Sequence, residues 1–302
     1  MSEYPDDLRE LVEDHLTGLR FSRAAATSGL EEAMRYSLLA GGKRIRPVLA
    51  LATTRAIGRE PAEVLPAAAA IELVHTYSLI HDDLPAMDDD ALRRGRPTAH
   101  VAYGDDVAIL AGDGLFAEAI RLICERQEGS PHRVVAALRA LSGATGVDGM
   151  VGGQYVDIVN TATSSASRPG VAGPRLDAEG LRSLHELKTG RLIGASVEIA
   201  LILGGASDSE TIRYRRFAGE LGVLFQIVDD ILDVTGSDEE LGKPQGSDER
   251  HGKVTYVSLF GLDRARDLAA ESHRKACEAL AETEGDTADL ELITDFIYTR
   301  HS

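Results

Sequence analysis

Apolar positions recur along this chain at intervals of three and four residues, the spacing of helices with one buried face. Leu8, Leu11, Val12, Leu16 and Leu19 predict an amphipathic helix over 6–20, and a second, short helix follows over 29–39. Pro47 suits the first turn of a third helix that runs to about Ile57. Pro61 or Pro66 opens the next, whose segment from Ala67 to Ile80 is apolar on every side, as in a buried helix. Further helices are expected over 105–126, from Pro131 to about Val159, over 177–204, over 209–234 and through the remainder, 255–300. No strand pattern recurs. The prediction is an all-α fold, a single-domain helical bundle of about ten or more helices around a central cavity, spanning 1–302.

The buried helix ends in Ser78-Leu-Ile-His-Asp-Asp-Leu-Pro-Ala-Met-Asp-Asp-Asp90, with five carboxylates in nine residues: Asp82, Asp83, Asp88, Asp89 and Asp90. A helix C-terminus repels anions, and clustered carboxylates raise one another's pKa. A divalent cation resolves both conflicts. Hard oxygen donors without nearby Cys favour Mg²⁺, which usually takes one or two carboxylates plus substrate phosphates. The plain alternative is a solvated acidic loop. Two neighbours weigh against it: the basic run Arg93-Arg-Gly-Arg-Pro97, and a second apolar helix ending in acids, Phe225-Gln-Ile-Val-Asp-Asp-Ile-Leu-Asp233. Asp229 and Asp233, at i and i+4, share one face.

Ala40-Gly-Gly-Lys-Arg-Ile-Arg-Pro47 places two glycines and three cations at a helix start, which reads as an anion site or as an ordinary surface turn. His75 lies two turns before Asp82, a packed core residue or one facing the same pocket. The glycines 143, 146, 149, 152 and 153 point to close helix crossing, with Gln154 and Asp157 as polar positions there. Lys188-Thr-Gly-Arg191 puts a glycine in mid-helix, a tolerated residue or a kink. Lys243 and Lys253 follow the second acidic end. The Ser/Ala/Gly-rich stretch 161–174 reads as a flexible surface loop.

Charge narrows the partners. Lys and Arg total 32 against 49 Asp and Glu, a net charge of −17, which argues against nucleic acid or an anionic membrane. No apolar run approaches the roughly 20 residues of a membrane span. Two cysteines, Cys124 and Cys277, fit a reducing compartment and read as packing residues, so a cytoplasmic protein is expected. The N-terminus is acidic and polar, unlike a signal peptide.

Two carboxylate rims with Arg and Lys around them, above apolar helices, suit a diphosphate clamped over a dry pocket and heterolysis of an allylic C–O bond. In family order, Gly41-Gly-Lys-Arg-Ile-Arg-Pro47, Asp82-Asp-Leu-Pro-Ala-Met-Asp88, Arg93-Arg94, Gly153-Gln154, Lys188-Thr189 and Phe225 to Asp233 resemble the motifs of short-chain trans-isoprenyl diphosphate synthases over about residues 29–300. The bacterial farnesyl diphosphate synthase type is the nearest likeness. The resemblance implies an all-α prenyltransferase, a homodimer, with Mg²⁺ (three ions with substrate bound). It joins isopentenyl diphosphate to the allylic dimethylallyl and geranyl diphosphates.

Position by position, the resemblance makes Asp82, Asp88 and Asp229 the metal ligands, with Asp83, Asp230 and Asp233 nearby. It gives Gly42, Lys43, Arg46, His75 and Arg94 to isopentenyl diphosphate and Arg93, Lys188, Lys243 and Lys253 to the allylic diphosphate. Thr189 and Gln226 lie near the allylic cation, and Asp82, Asp83, Asp88, Lys188, Thr189, Gln226 and Asp229 form its catalytic set. Tyr77 and Ser78, five and four residues before Asp82, would limit chain length, and Tyr77 with the inserted Pro85-Ala86 favours a C15 product over the C20 alternative, geranylgeranyl diphosphate. A terpene cyclase would carry an Asn/Ser/Glu pattern at the second acidic end. A regulatory subunit would have lost one of the two motifs; this chain keeps both.

Overall fold

A computed structural model of the chain describes residues 4–160, 176–236 and 252–300. The stretch 161–174 and Lys243 lie outside the described residues. The helices are α1 (Asp6–Gly18), α2 (Ser28–Leu38), α3 (Ile45–Ala56), α4 (Leu65–Asp82), α5 (Ala99–Tyr103), α6 (Asp105–Arg126), α7 (Pro131–Thr145) and α8 (Met150–Asn160). They continue as α9 (Ala178–His185), α10 (Arg191–Gly204), α11 (Asp208–Thr235), α12 (Tyr256–Phe260), α13 (Leu262–Ala281) and α14 (Ala288–Thr299). The all-α expectation holds, with one exception among the described residues: a two-residue ladder pairs Leu92 with Pro97 and Arg93 with Arg96.

At the centre is α4, apolar all round as its sequence requires, packed on α3 and α6, with α10 behind. α4 and α6 approach closely at Gly112, where a Cβ would meet His81 Nε2 at 2.2 Å. α11 begins at a capping box, Ser207 with Glu210, and packs along α13.

Three sequence expectations need correction. The helix expected from Pro131 to Val159 is two, α7 and α8, broken at Gly146–Gly149, where the Gly146 carbonyl accepts the N–H groups of Gly149 and Gly152 at 3.0 and 3.3 Å. The remainder after 255 is three helices, because Gly261 at φ +80° and the turn before Ala288 interrupt it. Two stretches, Pro61–Asp82 and Pro131–Asn160, are long and apolar enough by composition to cross a membrane. The first is mostly a packed core helix, and the second contains the break just described.

Candidate active site

The two acidic helix ends meet at a cavity of about 590 Å³. α4 supplies His75, Tyr77, Ser78 and Asp82, and α11 supplies Phe225, Gln226, Asp229 and Asp230. Leu79, Met87, Met150, Val151 and Ile158 add apolar wall.

Past the end of α4 the chain folds back. The Asp88 N–H donates to the Asp82 carbonyl at 2.9 Å, and the Asp89 N–H to that of Leu84 at 3.1 Å. Asp89 takes φ +54° to permit it. The five carboxylates thereby take different roles. Asp82 faces the cavity, and removal from water pushes its carboxyl up to about 6; Asp88 adds to the rise while Lys188 opposes it. Asp88 stands beside the cavity, and its Oδ2 accepts from Lys253 at 3.2 Å. Asp83 does not line the cavity: it is buried and grips Arg93 with bonds of 2.5 to 3.0 Å. Its part is to hold Arg93.

Arg93 and Arg94 diverge because the hairpin between them and Pro97 is a tight two-residue turn, with Arg94 at φ +53° and Gly95 at +72°, the signature of type I′. Arg93 turns to Asp83. Arg94 reaches the other way, to the Gly41 carbonyl and over Gly42, where a Cβ would meet its guanidinium carbon at 2.7 Å. Gly42 therefore serves Arg94 rather than lining the cavity. Arg46 joins Arg94 there: its Nη1 lies 3.3 Å from His75 Nε2, and its Nε has no hydrogen-bond partner among the described residues. Burial, with Arg46, Arg94 and Arg93 around it, holds His75 well below its usual pKa, so the ring is neutral. Of the two readings of His75, the structure places its ring on the cavity wall.

Lys43 and Arg44 of the Gly41–Pro47 segment do not line the cavity. Lys43 is exposed, with its Nζ 5.0 Å from the ring centre of Phe296. Arg44, at φ +54°, turns inward to Glu72 and Glu13, each at 2.7 Å.

Lys188 and Thr189 reach the cavity because the helix expected over 177–204 opens into one π-helical turn, Glu186–Gly190. Such turns redirect side chains. Glycines on both sides admit it: a Cβ on Gly153 would meet Lys188 N at 2.3 Å, and one on Gly222 would meet the Gly190 Cα at 3.1 Å. The mid-helix glycine is thus a deformation of the helix, and the small residues of α8 do mark a close crossing. Lys188 Nζ lies 2.5 Å from Asp157 Oδ2. Burial opposes its charge, but Asp157 and Asp82 outweigh it and raise its pKa. Thr189 Oγ1 donates to Gln226 Oε1 at 3.1 Å, and Gln226 Nε2 donates to Asp230 Oδ1 at 2.8 Å. Asp230, also accepting the Tyr256 N–H at 2.7 Å, is a buried brace. Asp233 is buried too.

Asp229 carries the second rim, with Arg300 on its Oδ1 at 2.7 Å and stacked 4.3 Å from Phe225. Arg300 was not singled out from sequence; it lies at the far end of the chain, without a motif. Nor was His185, whose ring nitrogens have no hydrogen-bond partner among the described residues and whose pKa burial pushes down to about 4. Gln154, expected to face a cavity, does so with both amide atoms unpartnered among the described residues. Asp82, Asp88 and Asp229 offer carboxylate oxygens only, a donor set that fits a hard divalent cation.

A helical bundle with acids at two helix ends over an apolar cavity, and cations on both sides, defines the class: an all-α protein whose donors fit a divalent cation and a diphosphate. The family model described as polyprenyl synthetase matches residues 27–295, and the chain belongs to that family. It is 41% identical over 302 residues to the farnesyl diphosphate synthase of Geobacillus stearothermophilus, covering 99% of this chain and 98% of that one. It is 48% identical over 252 residues to a chloroplastic geranylgeranyl pyrophosphate synthase of Capsicum annuum, covering 83% of this chain but 66% of that one. A crystal structure of geranyltransferase from Helicobacter pylori, complexed with magnesium and isoprenyl diphosphate, superposes with a TM-score of 0.81 at 34% identity, over 96% of this chain and 92% of that one.

Proposed function

We propose that the protein is a farnesyl diphosphate synthase that adds isopentenyl diphosphate to dimethylallyl and then geranyl diphosphate. The observation that carries this reading is the presence of two cationic groupings on one cavity. Arg46 and Arg94 flank neutral His75, while Lys188, Lys253 and Arg93 flank the acids. Two groupings suit two diphosphates, and therefore a condensation. A cyclase needs one.

Among the described residues the first grouping has no carboxylate at Arg46 Nη1, only His75, which leaves it to the isopentenyl diphosphate. In the second, Lys188 and Lys253 are paired with Asp157 and Asp88 and exchange those carboxylates for the allylic diphosphate, while Arg93 stays on Asp83. Asp82, Asp88 and Asp229 would hold Mg²⁺, in three ions, whose charge offsets that of the departing diphosphate. The allylic C1–O bond breaks, and its electron pair leaves with the diphosphate. The isopentenyl double bond attacks C1, forming the new C–C bond and leaving a cation at C3. Loss of a C2 proton to a diphosphate oxygen closes the new double bond. Thr189 and Gln226 turn polar atoms to the cation, and the apolar wall excludes water.

Tyr77 supports a C15 product. It lines the cavity one and a half turns before Asp82, its ring packed edge-on against Phe116 at 5.3 Å and His81 at 5.8 Å. A homodimer is supported by exposed apolar side chains on α6, Ile109 and Leu110 among them.

The test is product analysis. Protein with Mg²⁺, labelled isopentenyl diphosphate and, in separate reactions, C5, C10 and C15 allylic primers should yield C15, with the C15 primer inert. C20 from any primer would keep the chemistry and overturn the farnesyl assignment. No elongation would overturn the condensation itself. Sedimentation should give twice the chain mass of 32.3 kDa.

A further inference from the structure

We propose a second metal site, far in chemistry from the first: His273 and Cys277 of α13 with Asp295 of α14, built for Zn²⁺ or a cation of similar softness. Among the described residues this is the one group of three His, Cys or carboxylate side chains whose ligand atoms all lie within 4.8 Å of one another. The catalytic acids form no such group.

His273 and Cys277 are four residues apart on one helix face, the spacing at which two side chains converge on a single ion. Asp295 comes from the antiparallel neighbour. Its Oδ1 is 2.7 Å from His273 Nε2, and Cys277 Sγ is 3.9 Å from the same nitrogen. Tetrahedral zinc with N, S and O ligands needs ligand atoms about 3.3–3.7 Å apart. The His–Asp contact must therefore open by about 0.6 Å and the thiol close by a few tenths, movements within reach of these side chains. Tyr298 stacks on the His273 ring at 4.5 Å and fixes its plane. Glu278 and Glu291 add negative charge around the thiol. Asp295 is exposed, which leaves a fourth position to water.

The mixed N/S/O donor set selects a borderline cation and disfavours Mg²⁺, which wants oxygen alone. Its effect would be mechanical. Beside Asp295, Phe296 packs on Tyr4 at 4.9 Å, and one turn on, Arg300 holds Asp229. A metal joining α13 to α14 would staple the element that braces the catalytic acid.

The test uses the full chain, stripped with a chelator and titrated anaerobically with Co²⁺. One equivalent should give tetrahedral visible bands and a thiolate-to-cobalt charge-transfer band, both displaced by Zn²⁺. Cobalt at the oxygen-only catalytic acids gives no thiolate band. Cys277→Ser should lose that band, and Asp295→Ala, an exposed change that leaves the packing intact, should weaken Co²⁺ binding by at least about tenfold. Cys124→Ser should keep both. Zn²⁺ should raise the melting temperature of the parent chain and not of Cys277→Ser. Absence of the charge-transfer band, its survival in Cys277→Ser, or equal affinity in Asp295→Ala would overturn the proposal.

Discussion

Lys253 Nζ lies 3.2 Å from Asp88 Oδ2 and 4.0 Å from Asp157 Oδ2, tying the loop after the second acidic helix to the first acidic motif across 165 residues of chain. The ammonium lowers the repulsion among Asp82, Asp88 and Asp157 in the substrate-free state and would turn to phosphate when it arrives. Lys253→Ala is expected to lower kcat/KM for the allylic substrate by about 10- to 100-fold, a loss of about 1.4–2.7 kcal/mol. It should also raise the Mg²⁺ concentration needed for half-maximal rate. Steady-state kinetics at varied Mg²⁺ reads both, and an unchanged Mg²⁺ requirement would separate Lys253 from the acids.

Asp82 sets function against stability. Its carboxyl is pushed up to about 6, from an unfolded value near 4. The native state therefore holds its proton more tightly than the unfolded chain between these values. Stability falls as pH rises from about 4 through 6 and stays lowered above that. Asp82→Asn should abolish turnover yet raise metal-free stability at pH 7.5 by about 1–2 kcal/mol, discounted for partial exposure. The gain should vanish at pH 4. Denaturant melts at the two pH values read the difference.

Tyr77→Ala should let the chain grow past C15, giving C20 in the primer assay. The ring it removes is 9% exposed and packed on Phe116, so a stability loss of about 2–4 kcal/mol should accompany the change. A C15 product from the folded variant would place the floor elsewhere.

Arg44→Met tests the division within the Gly41–Pro47 segment. Arg44 and Glu72 are 3% and 2% exposed, so removing the arginine strands a buried carboxylate. A loss of about 3–5 kcal/mol is expected by denaturant titration. At temperatures where the variant stays folded, KM for isopentenyl diphosphate should change little, whereas Arg94→Ala should raise it more than the KM for the allylic substrate.

Gly153→Ala should displace the π-helical turn, since its Cβ would sit 2.3 Å from Lys188 N. Allylic kcat/KM should fall by about tenfold or more while helix content by circular dichroism is retained. Full activity would mean that the turn can shift without cost to Lys188.

The hydrophobic period of the chain by itself determined the all-α class, because burying one face of each helix needs only local spacing. The sequence also marked the candidate site: Asp82 to Asp88 and Asp229 by acids at helix ends, costly away from a cation, and Arg93-Arg94 and Lys188-Thr189 by their resemblance to the family's motifs. Directions within those motifs were not legible. Which of five adjacent aspartates faces the cavity depends on a backbone fold-back that places the Asp88 N–H on the Asp82 carbonyl. Which of three clustered cations is spent on a core ion pair depends on Glu72, 28 residues away. The break at Gly146 and the π-helical turn at Lys188 rest on close approach between helices distant in sequence, and Arg300 reaches Asp229 only when α14 has docked. Local patterns govern what a single helix does with water; only packing decides which atom meets which, because those contacts join segments that the sequence holds far apart.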